Sequence, residues 1–171
     1  MKTILILREF GKMKVAFNSS PLIFLSKLAI LDQAISLFSV IVVPESVYTE
    51  VVKKEDIARQ NLERLLEYEN AFLTQVKNIK MSKALNGKLG KGESEAIVIA
   101  IENLCDVVVL DDNVARREAL RYGINVKGTL GIIKKMLAEG LVHFDLDRLY
   151  DDLQRMNFRV KRSIYEGIFR E

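Results

Sequence analysis

The chain has one cysteine, one histidine, two prolines and no tryptophan among its 171 residues. The lone Cys105 excludes an intrachain disulfide and a thiolate zinc site. The lone His143 excludes a two-histidine metal centre. Two prolines and nine glycines exclude collagen-like or low-complexity structure. No GxxxxGKS/T loop and no GxGxxG occurs, which disfavours NTPase and dinucleotide chemistry. The longest apolar runs are about five to seven residues, against about 20 for a membrane helix. The opening MKTILILREFGKMK has too short an apolar core for a signal peptide. It is interrupted by Arg8, Glu9 and Lys12 and lacks a small-residue cleavage site. A soluble, intracellular and cytoplasmic protein is therefore expected.

What is present is a chain of ordinary globular composition, 49 % apolar and 29 % charged, which excludes wholesale disorder. Its length matches one domain of about 150 residues, taken as 1–171 with a helical tail over 145–171. Met13-Lys14 is a second start-like unit just before the first good strand, so residues 1–12 are expected to be an extension or an artefact of start-site choice. The net charge of +3 permits a nucleic-acid partner without requiring one.

Strands are expected at 14–17 (KVAF), 40–43 (VIVV), 107–110 (VVVL) and 124–126. Ser20 is a plausible N-cap ahead of Pro21, and Leu22, Leu25 and Leu28 follow at helical spacing. Further helices are expected at 31–38, after Pro44 (Val47, Val51), at 92–104, 112–122 and 128–138, with two in the tail. Residues 54–70 are charged, with Ile57, Leu62, Leu65 and Leu66 as their apolar face. The lysine-rich stretch 77–91, with two glycines, reads as a loop or hairpin-like connection. Apolar strands alternating with helices predict an α/β fold with a parallel sheet.

Open parallel sheets bind ligands at the carboxyl ends of their strands. There the chain offers Asn18 after the first strand and Asp111-Asp112 after 107–110. On the helix at 92–104, Glu93 shares a face with Ile97, Ala100 and Leu104, whereas Glu95 is rotated roughly 200° from it and should face solvent. Glu50 flanks Val47 and Val51 on the helix after Pro44, and Glu45 points elsewhere. Acids in a first helical turn also serve as dipole partners, a role open to Glu93 and Asp112, and Asn18 could simply shape a turn. Oxygen ligands without histidine or thiolate suit a hard cation, Mg²⁺ or Mn²⁺. Lys88, Lys91, Arg116 and Arg117 are candidate nucleic-acid contacts, with a solvated surface as the alternative. His143 reads as a surface or capping residue, and Cys105 as a small buried one.

These pieces, in this order, resemble PIN-domain nucleases, including VapC-type toxins of toxin–antitoxin pairs. The resemblance spans about 14–140 and rests on Asn18-Ser19-Ser20 followed by PLIFL, Glu50 in VVPESVYTEV, Glu93 in GKGESEAIVIA, and Asp111-Asp112 in VVVLDDN. NFRVKRSIYEGIF near the end fits a prokaryotic PIN subgroup of uncertain function. The resemblance implies a three-layer α/β/α domain with a central parallel sheet of four to five strands. It also implies a metal-dependent ribonuclease acting on single-stranded or loop RNA, a homodimer, and a small antitoxin plugging the acidic pocket. Asp111 and Glu93 would hold the principal ion with Asn18 as a neutral ligand, Glu50 and Asp112 would serve a second ion or its water shell, and Ser20 would hydrogen-bond behind them.

Asn18 stands where the family carries an aspartate. An amide oxygen still ligates metal but brings no charge, so weaker metal affinity follows. The alternative is a catalytically weak or inactive nucleic-acid-binding or regulatory PIN domain. A phosphoacceptor receiver domain is disfavoured because its acidic pair belongs near the first strand.

Overall fold

The computed structural model of the protein describes residues 12–54 and 56–170, so all but Lys12 of the expected extension lies outside the described residues. Five strands form one wholly parallel sheet: β1 (Lys14–Phe17), β2 (Val40–Pro44), β3 (Ala71–Thr74), β4 (Val107–Val109) and β5 (Asn125–Lys127). Their order is β3-β2-β1-β4-β5. Successive residues of a strand face opposite sides of the sheet, and both sides are covered. Val15, Phe17, Ile41, Val43, Val107 and Val109 join the core of one side, and Ala16, Val108 and Leu110 that of the other. This is why the strands read as unbroken apolar runs.

The first side carries α1 (Ser19–Lys27), α2 (Leu31–Ile35), α3 (Glu45–Val52), α4 (Ile57–Leu65), α8 (Thr129–Ala138), α9 (Leu146–Arg155) and α10 (Arg162–Phe169). The second carries α5 (Ile79–Asn86), α6 (Lys91–Glu102) and α7 (Asn113–Arg121). The protein is thus a three-layer α/β/α structure. β2 and β3 extend the sheet on one side of β1, and β4 and β5 on the other. That reversal leaves a crevice beyond the carboxyl ends of β1 and β4, the place where open α/β sheets take their ligands.

Local structure departs from the sequence expectation in four places. Residues 71–74 form β3, an edge strand whose Phe72 and Leu73 are half exposed, so it has neither the alternation nor the unbroken apolarity that marks a strand. The stretch expected as a loop over 77–91 contains α5. Asn78 Oδ1 accepts the Met81 N–H at 3.0 Å, and Ser82 and Leu85 turn inward while the lysines stay in solvent. The N-cap signal of Asn78 was there to be read. In α4 the inward face is Ala58, Leu62 and Leu65, whereas Ile57, just after the N-cap Asp56, is 46 % exposed. Finally, α1 starts two residues early, with Asn18 rather than Ser20 at its N-cap.

The α4 face yields a stability test. Leu62→Ala opens a void in a fully buried site and should cost about 2–5 kcal/mol, whereas Ile57→Ala should cost less than about 1 kcal/mol. Urea unfolding of the two variants measures the contrast, and equal midpoints would refute this placement of the helix.

Candidate active site at the switch of the sheet

Asn18 leaves β1 with its backbone N–H donated to Val109 O at 3.2 Å, which joins the ends of the two strands bordering the crevice. It has the extended backbone of an N-cap (φ −86°, ψ 167°), yet its side chain caps nothing. Its Oδ1 is buried and has no hydrogen-bond partner among the described residues. Leaving a buried carbonyl oxygen unpaired costs about 1–3 kcal/mol, so the orphan calls for a reason. The reason lies at Gly92. A Cβ placed there would stand 3.1 Å from Asn18 Oδ1 and 3.2 Å from Glu50 Oε2. The missing side chain leaves a space bordered by an amide oxygen on one side and a carboxylate on the other.

Glu50 also lines a cavity of about 500 Å³ together with Glu45, Lys53, Lys91, Gly92 and Glu95. Two sequence expectations are corrected here. Glu95 does not face solvent: its side chain is only 14 % exposed and stands 3.9 Å from Lys91 Nζ. Glu45 lies on the same cavity, with its carboxylate bound by Gln75 Nε2 at 2.9 and 3.0 Å. Glu93 turns back instead to accept the Gly90 N–H at 2.8 Å, closing the first turn of α6. A helical face does not separate the two glutamates, because α6 is wrapped on almost every side. Ser94 and Ala96 through Ala100 are all buried, so the apolar stripe singles out no direction. Gly92 and Glu95, three apart, are neighbours on the helix surface. Leu104, expected on that stripe, lies past the helix end at positive φ and is 86 % exposed.

Asp111 follows β4. Its Oδ1 accepts the Thr129 N–H and its Oδ2 the Thr129 hydroxyl, both at 2.7 Å. Burial pushes its pKa up, and the bonds from Thr129, the Arg116 guanidinium and the Ser20 hydroxyl pull against that shift. Arg116 Nη1 also donates to Leu110 O at 3.1 Å. The approach needs glycine at 128, because a Cβ there would fall 2.5 Å from Arg116 Nη1. Asp112 caps α7, its Oδ1 accepting from Val114 N at 2.8 Å and Ala115 N at 2.9 Å. Lys88 and Arg117 are exposed, as is His143. Burial raises the Cys105 thiol to about 11, so the residue is inert at neutral pH.

Among the described residues no three histidine, cysteine, aspartate or glutamate side chains gather into a metal-holding group. The oxygens that do converge are Asn18 Oδ1 and Glu50 Oε2. One is a carbonyl with no other partner and one a carboxylate, and such donors fit a hard divalent cation.

A family model, DUF3368, described as a PIN domain, matches residues 14–171. The chain belongs to the PIN-domain family. The PIN domain is a nuclease fold, and its members generally use divalent metal ions and point to nucleic-acid substrates. A solved PilT N-terminus domain protein from the hyperthermophilic archaeon Sulfolobus solfataricus P2 is similar in fold. The two share 21 % identity at a TM-score of 0.50, over 78 % of this chain and 98 % of that one. No curated protein matches the chain at a significant level. Among the described residues of this PIN domain, no helix is long and apolar enough to cross a membrane.

Two tests follow from the geometry. Gly92→Ala fills the space between Asn18 and Glu50. Any rise in melting temperature that Mn²⁺ gives the wild type should disappear in this variant. The second test concerns Asp111, whose raised native pKa means that the folded state favours the protonated form. Its stabilisation is complete below the unfolded value of about 3.9 and is lost as pH rises through the native pKa. In EDTA, Asp111→Asn should therefore melt like wild type below about pH 4 and above it at pH 7. Parallel curves across that range would contradict the assignment.

Proposed function

We propose that this PIN domain is a divalent-metal-dependent endoribonuclease acting on single-stranded or loop RNA. The observation that carries this reading is the buried, unpartnered Asn18 Oδ1 facing Glu50 across Gly92, at the reversal of the sheet. A polar atom kept unsatisfied at a strand end fits a ligand-holding role better than a turn-shaping one, which would use it as a cap.

Asn18 and Glu50 would hold the ion, Mg²⁺ or Mn²⁺, joined by Glu95, which lines the same cavity as Glu50. The bound ion would supply charge neutralisation at the scissile phosphate and an acidified water. Lys91 stands 3.9 Å from the Glu95 carboxylate on the wall of the same cavity. Thr129 fixes both oxygens of Asp111, so that it presents one orientation to whatever enters the crevice. Glu93 and Asp112 hold the first turns of their helices, which orients Gly92 and the chain leaving β4.

A second reading rests on Asn18 itself. With a neutral residue at the end of β1 and no group of three acidic ligands among the described residues, the domain would bind nucleic acid or regulate without cutting it. The family resemblance extends the first reading to the toxin of a toxin–antitoxin pair, working as a homodimer blocked by a small protein. Growth arrest on expression in a host cell, relieved by such a partner, is the observation that tests that role.

The two readings separate on a labelled RNA with Mn²⁺. The nuclease reading expects internal cleavage by the wild type, abolished by EDTA and by Glu50→Gln. It expects Glu95→Gln to lose more activity than Glu93→Gln. Asn18→Asp adds a charge worth about 4 kcal/mol at 4 Å and an effective dielectric of 20, much of it offset by repulsion and desolvation. A gain of about tenfold in metal affinity is therefore expected by calorimetry, equivalent to about 1.4 kcal/mol. Cleavage that appears only in Asn18→Asp would establish the second reading.

A further inference from the structure

On the other side of Asp111 lies a second cavity, of about 600 Å³, between the end of β5, the start of α8 and the C-terminal helices. Four cations line it: Arg116, Lys127, Arg159 and Lys161. Among the described residues the only acid on its wall is Asp111, which Thr129 and Arg116 already engage. The surrounding charges make this arrangement informative. Elsewhere on the tail the arginines stand beside carboxylates: Arg148 and Arg155 share Asp152, and Arg162 and Arg170 pair with Asp147 and Glu166. Among the described residues no carboxylate pairs with Lys127, Arg159 or Lys161. The tail therefore has near-balanced charge overall, yet its unpaired cations are concentrated on this cavity.

The loop that carries two of them is built to hold its shape. Asn157 turns the chain at a positive φ of 61°. Phe158 is buried and packs edge-on against Phe24 with ring centroids 4.8 Å apart. The Gln154 amide donates to Phe158 O and Val160 O, each at 3.2 Å, and the Tyr150 hydroxyl reaches Val160 O at 3.4 Å. Arg159 and Lys161 stand exposed on this anchored segment, on either side of the half-buried Val160. Beneath them Val126, Ile164 and Ile168 form an apolar floor.

We infer that this cavity binds the substrate strand: single-stranded RNA lies along it, its phosphates on Lys127, Arg159 and Lys161 and its flat apolar surfaces on the floor, and passes Asp111 into the crevice. Unpaired cations over an apolar surface are what a single strand of nucleic acid requires. The inference rests on the nuclease reading for its substrate class, and binding without metal tests it separately from cleavage.

The experiment is fluorescence anisotropy of a labelled single-stranded RNA of about 15 nucleotides, in EDTA and across a salt series. The double variant Arg159→Ala/Lys161→Ala is compared with Arg148→Ala/Arg155→Ala, which removes the same charge from the paired side of the tail. The first should bind about tenfold more weakly and flatten the salt dependence by about 1.4 in log–log slope, at about 0.7 per phosphate contact. The second should match wild type. The charge-conserving Arg159→Lys/Lys161→Arg should retain binding, which separates lost contacts from a damaged fold. Equal weakening by both alanine pairs, unchanged binding in the first, or no binding by the wild type would each overturn the inference. Cleavage with Mn²⁺ is read on the wild type alone. Arg159- and Lys161-dependent binding without cleavage would leave the binding site standing and remove the nuclease reading, whereas cleavage with binding indifferent to both residues would do the reverse.

Discussion

The pairing of β1 with β4 is the contact on which the rest of the structure depends. It brings together segments about 90 residues apart in the chain, with Phe17 opposite Val109 and the Asn18 N–H on Val109 O. Both strands are buried on both faces, so any slip in register would move large apolar side chains between two filled layers. That constraint sets the ends of the two strands level. Asn18 and Asp111 stand beside the same crevice because the valines behind them have no other place to pack.

Around that crevice the acids are managed one by one rather than pooled. Asp111 is held by Thr129 and Arg116, Glu95 by Lys91, Glu45 by Gln75, and Glu93 by the backbone of Gly90. Each arrangement reduces the mutual repulsion that would otherwise destabilise an acidic site. Asn18, a buried carbonyl with no partner, adds no further negative charge at this position. The site carries its unsatisfied group on a neutral side chain, a smaller burden on the fold than an unpaired buried carboxylate would be.

The two cavities beside the crevice differ in character for a structural reason. The one at α3 and α6 mixes glutamates with Lys53 and Lys91, and its walls are helices that follow β2 and β3. The one at α8 and the tail is basic over an apolar floor. Its cations come from α7, from the strand end of β5 and from a loop fixed by Phe158. The tail both closes one side of the core through Leu149, Leu153 and Tyr165 and presents charge on its outer edge.

Much of the fold was legible in the sequence because burial on two sides forces continuous apolar strands, and KVAF, VIVV and VVVL say so without help. Helix starts marked by Asp112 and stops marked by Gly123 and Gly140, both at positive φ, were equally local, as was the order of site residues along the chain. Other features were set by neighbours far away in sequence. β3 is a strand because β2 offers it an edge, not because AFLT alternates. α5 hides only a narrow stripe beneath its lysines. Of the two glutamates in GESEA, the choice between capping a helix and facing a cavity was beyond a helical wheel, since α6 is buried almost all round and only the position of α3 against Gly92 distinguishes its sides. The sequence by itself determined which oxygens and cations the chain carries and the strand ends where they gather. The tertiary structure alone decided which of them lack partners, because pairing depends on packing between distant segments that no local pattern records.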